Sequence, residues 1–402
     1  MKQKVLIIVH HLNFGGSQKA LLSALNAIDY QQNDVTLYVR KARLDLLNQV
    51  NTHVSRIVIN DNILSYYRKP YAIFLQMMQF FCQLCGKDVQ PYSERLQDYI
   101  VESQMKEEKK RFFSDGVIYD VAISYNQGYH ALFTANYIEA RRKVMFYHNS
   151  TDSLHAIHEK VMGAFSAIYC VSPEAQRAVI GFYPQFADRI RCLENIVNVE
   201  KIKTKARETI VIDNHNRCIL CSCGRISKEK GFDLAVEAAR LLKERGLSFL
   251  WYFVGDGPER KSLEELIATY SLQENIVFTG MQENPYPYIK ACDIYVQPSY
   301  EEAQGLSIIE AQVLLRPVVS TRTAGAKSLI QNGVDGILTD ITPSALADGI
   351  ERLMNDETTR HRMQTVLQSI DYAQKEKEFK KKWAELLSDT SRGTGDVLTA
   401  VD

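Results

Sequence analysis

At 402 residues the chain is too long for one ordinary hydrophobic core, so two domains of ~200 residues each are expected. Lysine plus arginine and aspartate plus glutamate number 48 each, and this zero formal charge excludes a global field that would draw the chain to nucleic acid. No stretch reaches the ~18 apolar residues of a bilayer span. The eight cysteines follow an N-terminus that reads directly as a strand, so free thiols in a reducing cytoplasm are expected in place of a disulfide framework.

In chain order, Val5–Val9 reads as a strand, His10–Gly16 as a loop ending in Gly15 and Gly16, and Ser17 as the start of a helix with Leu21, Leu22, Leu25 and Ile28 on one face. A strand, a glycine turn and a helix open a Rossmann-like unit whose helix N-terminus can face phosphate. Strands are expected next at Val35–Val39 and Val54–Ile59. A helical insertion over about 63–114 closes on M-K-E-E-K-K-R, a charge run expected to form a solvated helix face. Inside it, Tyr71–Gly86 is uncharged, with glutamines at 76, 79 and 83 forming a polar stripe on an apolar helix. Core packing is the first reading of this helix. Peripheral membrane contact through about 66–87, or a meeting with a lipid-linked acceptor, is the second. Cys82 and Cys85 read as buried thiols ahead of a redox pair, and His155 and His158 as a polar helix face ahead of a zinc site.

A βα rhythm resumes with strand Val121–Ser124, a helix near His130–Ile138, strands Val144–Tyr147 and Ile168–Val171, and a helix from Pro173. Strand Arg191–Leu193 runs into E-N-I-V-N, and Glu200–Asn216, rich in charge and poor in periodicity, reads as a linker. A second series follows with strands Cys218–Cys223, Phe249–Val254, Ile276–Thr279, Ile294–Val296 and Val318–Ser320. Alternation in the first of these sends Cys221 and Cys223 to one face and Cys218 to the other. A last helix, about Glu376–Leu387, gathers Phe379, Trp383, Leu386 and Leu387 on one face, which must be buried. The expected architecture is therefore α/β: two tandem Rossmann-like domains with doubly wound parallel sheets, 1–199 and 200–375. A ligand cleft lies between them, and the 376–402 segment crosses back to the first domain.

Three loops of the second domain follow strands and should gather at one sheet edge: Gly224–Gly231 (G-R-I-S-K-E-K-G), G-D-G-P after Val254, and the stretch from Pro298 to Glu310. Arg225 and Lys230, in a loop closed by Gly231, can converge on one diphosphate, with Gly224 leaving room for approach. If Gly305 opens the following helix, Glu302 lies in the loop and Glu310 over a turn inside it, on the order of 10 Å away. Such a spacing suits two grips on one long ligand and does not suit one acid/base pair, with the helix-start N–H groups between them for an anion.

The runs G-R-I-S-K-E-K-G-F, V-G-D-G-P-E-R, F-T-G and P-S-Y-E-E-A-Q-G-L-S-I-I-E-A-Q-V-L-L-R-P-V-V-S-T resemble the nucleotide-binding half of retaining glycosyltransferases of family 4, of GT-B fold. The first half matches more loosely, through the Gly15–Gly16 loop, Y-D-V-A-I-S, the strand ending at His148, V-S-P-E and N-I-V-N. The resemblance implies that Arg225 and Lys230 hold the donor diphosphate, Glu310 the ribose hydroxyls and Glu302 the donor sugar, with N–H groups near Gly305 and Leu306 assisting. Thr279, Gly280 and Met281 would face the nucleobase, Gly15 and Gly16 would close on the phosphates from the opposite domain, and His148 would stand near the reacting centre. The family often has an aromatic residue where Gln304 stands, so Gln304 marks a departure in the donor-sugar region.

The implied activity is metal-independent, retaining transfer of a hexose-type sugar from a nucleotide donor, UDP foremost, with no cofactor. The implied acceptor is a surface glycan, a lipid-linked glycan or a wall polymer. No Asp-x-Asp triplet occurs in the chain. The alternatives are a non-catalytic GT-B partner of another transferase, which would have no need of Arg225, Lys230, Glu302 and Glu310, and a sugar-nucleotide epimerase, which would need no acceptor.

Overall fold

The computed structural model of the chain describes residues 1–12, 15–42, 44–60, 90–148, 159, 161–212 and 217–388. The 71–86 helix, Cys82, Cys85, His155 and His158 lie outside these residues.

The first sheet has seven strands: β1 (Gln3–Leu12), β2 (Asn33–Ala42), β3 (Arg56–Ile59), β4 (Tyr119–Ser124), β5 (Ala140–Tyr147), β6 (Ala167–Cys170) and β7 (Ile190–Cys192). Their order is β3-β2-β1-β4-β5-β6-β7 and every ladder is parallel. The second sheet orders β8 (Cys218–Cys223), β9 (Phe249–Val254), β10 (Ile276–Gly280), β11 (Ile294–Gln297), β12 (Val318–Thr321) and β13 (Gly336–Thr339) as β10-β9-β8-β11-β12-β13, again all parallel. Strand order reverses between β1 and β4 and between β8 and β11. At such switch points the connections leave in opposite directions and open a crevice outside the strand C-termini.

Strand alternation divides the core as the sequence requires. On β1, Val5, Ile7 and Val9 face one cluster and Leu6 and Ile8 the opposite one. On β8, Cys221 and Cys223 join one cluster and Cys218 the other, and all three are free thiols. The C-terminal helix, Tyr372–Ser388, inserts Phe379, Trp383, Leu386 and Leu387 into the first domain's core, where the Trp383 ring lies 5.5 Å from that of Phe146. The crossing back is thus driven by burial of one aromatic and aliphatic stripe.

Three features go beyond the expectations. The charge run near the end of the insertion lies in a helix, Gln90–Phe112, with Lys106, Glu107, Lys110 and Arg111 exposed as expected, but its Glu108 is fully buried, together with Met105 on the same face. Glu108 is tolerated there because the hydroxyls of Tyr38 and Tyr129 both donate to its carboxylate. The linker starts with a helix, Val199–Lys205, capped by the Asn198 side chain, and Ile202 and Ala206 pack into the second domain's core. Finally, β13 extends the second sheet by a strand that its four-residue run did not announce. Among the described residues, no helix is long and apolar enough to cross a membrane.

Candidate functional site

Glycine contacts bring the three expected loops together. Gly231 has φ +63°, and a Cβ there would lie 2.1 Å from the Pro298 carbonyl oxygen, so only glycine lets the first loop meet the third. A Cβ on Gly255 would lie 1.9 Å from the Gly224 oxygen, which locks the G-D-G-P loop against the first. Ile226 N–H donates to Asp256 O at 3.0 Å and Tyr300 N–H to Glu229 O at 2.9 Å, completing the join. A Cβ on Gly224 itself meets open space, the room for approach that the sequence suggested.

On this platform Arg225 is exposed, with no side-chain hydrogen bond among the described residues. Lys230 donates to Glu302 at 2.6 Å, so the two cations stand differently: one open, one held by a carboxylate of the third loop. Gly305, at φ +83°, precedes the helix Leu306–Val313 as the sequence required. Glu302 sits before this helix start and Glu310 inside it, where Glu310 is 2% exposed.

The first domain faces this corner. A Cβ on Gly16 would lie 3.7 Å from Leu306 Cδ1, so the Gly15–Gly16 turn abuts the helix start across the cleft. Three residues on, Lys19 Nζ donates to Glu310 Oε1 at 2.6 Å, and Tyr286 Oη donates to the same oxygen at 3.1 Å. Burial works against the Lys19 charge, but Glu310, with Tyr286 and Cys223, overrides it and holds the ammonium well above the usual lysine range.

Gln304 does not stand open in the donor region. It is buried, accepts from the Asn195 side chain, and donates through Nε2 to the Asn195 carbonyl at 2.9 Å. Ser172 Oγ donates to Ala303 O at 2.6 Å beside it. The third loop is thus clasped by V-S-P-E and N-I-V-N, the two segments of the first half whose role the sequence did not specify.

His148 follows β5, and its Nε2 lies 2.8 Å from the Tyr125 carbonyl, which requires the proton on Nε2 and leaves Nδ1 as an acceptor. Burial lowers its pKa to about 4 against the opposing pull of that carbonyl, so the ring is neutral at pH 7. Its hydrogen bonds go to Tyr125 and Gln127 of its own domain. Thr279 and Gly280 end β10 and Met281 follows it, with Gly280 at φ +72° bridged to Gly255 and Met281 54% exposed. An exposed thioether there offers a flat planar ligand an adaptable apolar surface.

Sequence reasoning missed Lys19, Tyr286, Ser172 and Asn195. Lys19 did leave a signal: a cation in the first turn of a helix opposes the macrodipole, so a compensating carboxylate had to come from elsewhere.

Residues 204–366 match the family model described as Glycosyl transferases group 1. The alpha-D-kanosaminyltransferase of Streptomyces kanamyceticus is 34% identical over 170 residues, covering 41% of this chain and 43% of that protein. The lipopolysaccharide core biosynthesis glycosyltransferase LpsE of Rhizobium meliloti is 33% identical over 146 residues, covering 36% and 42%. The chain thus spans less than half the length of these two relatives. Among solved structures, Anabaena HepE in complex with UDP-glucose superposes with a TM-score of 0.70 at 17% identity, covering 96% of this chain and 99% of that one. At that identity the likeness shows the fold, which is GT-B with two Rossmann-like domains.

Proposed function

We propose that the chain is a glycosyltransferase of family 4, moving a hexose-type sugar from a UDP-linked donor to an acceptor in surface-glycan, lipid-linked or wall-polymer assembly, with retention and without a metal. The observation that carries this reading is the corner at Leu306. There Glu302 and Glu310 bracket a helix start, Lys230 is bonded to Glu302 at 2.6 Å, Arg225 stands open, and Gly16 faces Leu306 from the other domain. The names of LpsE and of the HepE complex support a polysaccharide acceptor and a UDP-linked donor. Buried thiols such as Cys170 and Cys221 fit a cytoplasmic site of action.

In this reading the donor lies along the corner with its diphosphate between Arg225 and Lys230, its ribose at Glu310 and its sugar at Glu302. Breaking the anomeric C–O bond puts negative charge on the leaving diphosphate and positive character on the sugar. Arg225, Lys230 and the N–H groups at Leu306 stabilise the former where it develops, which is electrostatic catalysis by groups already in place. Retention follows from attack on the face the diphosphate leaves, with a leaving oxygen taking the acceptor hydroxyl's proton. Neutral His148 Nδ1 is available to accept a hydrogen bond near the reacting centre. Domain closure excludes water.

The test is incubation of the full chain with labelled UDP-sugars, with and without EDTA, and separation of the products. Transfer or slow hydrolysis that is unchanged by EDTA and falls ~100-fold or more in Arg225→Met agrees with the reading. Absence of binding to any sugar nucleotide would sink it.

A further inference from the structure

Away from the donor corner, the C-terminal edge of the first sheet carries a second polar cluster that the proposed reaction leaves unused. The β1–β2 ladder pairs Val9 with Val39 and His11 with Lys41, which sets His10 beside Arg40. His130, at the start of the helix after β4, lies with Nε2 2.6 Å from His10 Nδ1, and the His10 and His11 rings are 3.8 Å apart. Below them, Glu108 accepts from Tyr38 and Tyr129, and Arg40 stacks 3.9 Å above the Tyr129 ring.

Arg40 is 5% exposed, yet among the described residues its Nε and Nη2 have no hydrogen-bond partner, and neither do the buried Nδ1 atoms of His11 and His130. A guanidinium that served only the fold would fork onto the nearest carboxylate. Here each Glu108 oxygen accepts from a tyrosine hydroxyl and none from Arg40 among the described residues, and the two unpaired groups are the pair that makes a side-on fork. Leaving such donors buried and unpaired is costly unless something else completes them. The rings add donors in one tautomer: if His10 Nδ1–H donates to His130 Nε2, then His130 carries its proton on the unpartnered Nδ1. His10 and His11 are half-buried at the outer side of the cluster, and β1 ends at Leu12, three residues before Gly15 of the turn at the cleft.

We propose that Arg40, His11 and His130 form a subsite for a phosphoryl group carried by the acceptor. This rests on the transferase reading above and specifies its acceptor as a phosphorylated one. The guanidinium fork takes two phosphoryl oxygens and the imidazole N–H groups the remaining positions, while Glu108, tied down by Tyr38 and Tyr129, balances the Arg40 charge without competing for its donors.

The experiment uses the full chain carrying Arg225→Met and Lys230→Met, which removes the donor-side cations, so failure of the donor reading cannot affect it. Histidine carbon-13 spectra are recorded during titration with inorganic phosphate and with glucose 1-phosphate, and signals are assigned with His11→Gln and His130→Gln. Expected are saturable shifts of the His11 and His130 signals, tighter binding of glucose 1-phosphate than of inorganic phosphate, and at least a tenfold loss of affinity in Arg40→Met. Unmoved signals, or equal movement in Arg40→Met, would overturn the subsite, and preference for inorganic phosphate would overturn its assignment to an acceptor.

Discussion

Lys19 and Tyr286 both donate to Oε1 of Glu310, and Oε2 of the same carboxylate accepts no hydrogen bond among the described residues. The interdomain ion pair therefore orients Glu310 without filling it. One oxygen is anchored from the first domain, and the other is left for the ribose hydroxyls that the proposed function assigns to it. Lys19→Met is expected to weaken UDP binding by ~10-fold, about 1.4 kcal/mol, and to lower stability by about 1–3 kcal/mol, because Glu310 keeps only its Tyr286 bond. Calorimetric titration and urea unfolding check the two effects. Unchanged UDP affinity would show that Lys19 plays no part in positioning Glu310.

Gln304 and Asn195 form a second interdomain link, in which the Gln304 amide both accepts from and donates to Asn195. Gln304→Ala leaves the Asn195 side chain and carbonyl without that partner in a buried place, an expected loss of about 1–3 kcal/mol by urea unfolding. An aromatic residue at this position leaves the same groups unpaired, so Gln304→Phe should be no better than Gln304→Ala. Recovery of stability in Gln304→Phe would contradict this account of the departure.

Elements with strong periodicity or tight loop chemistry were legible before the structure. The strands from Val5 to Val318, the helix face of Phe379 and Trp383, the opposite-facing cysteines of β8 and the three-loop edge all follow from local pattern. What stayed hidden depends on partners distant in sequence. Glu108 reads as a solvated charge until Tyr38, seventy residues away, places a hydroxyl on it. Lys19 and Glu310 are 291 residues apart, and no local rule joins them. The helix Val199–Lys205 hid in a charged linker because only Ile202 and Ala206 turn inward. At Gln304 the sequence located the departure but not its cause, which is Asn195.

The C-terminal helix should be essential to the first domain's stability. Trp383 is 1% exposed and lies between Phe146 and Phe379, so Trp383→Ala is expected to cost about 3–5 kcal/mol. The reading is the urea midpoint of the full chain. A shift equivalent to less than 1 kcal/mol would mean that the helix docks without contributing to the core.

Two neutral histidines make the fold acid-sensitive. Burial lowers His148 to about 4, and burial with the nearby His11 and Arg40 lowers His10 to about 4, against 6.5 for an unperturbed ring. Between pH 6.5 and 4 the unfolded chain binds the additional protons, so these rings favour the folded state fully above that window and lose their contribution as pH falls through it. His148→Gln should reduce the slope of unfolding free energy against pH in that window by close to one proton. An identical slope in the variant would show that His148 titrates in the folded chain as it does in the unfolded one.

Glu310 as the grip on the ribose is the centre of the proposed function. The most direct measurement compares the Kd of UDP with that of 2′,3′-dideoxy-UDP, in the wild-type chain and in Glu310→Ala. The wild type should prefer UDP by ~10-fold or more, as expected for hydrogen bonds to a charged group, and Glu310→Ala should bind the two alike. A preference for UDP that persists undiminished in Glu310→Ala would contradict the account.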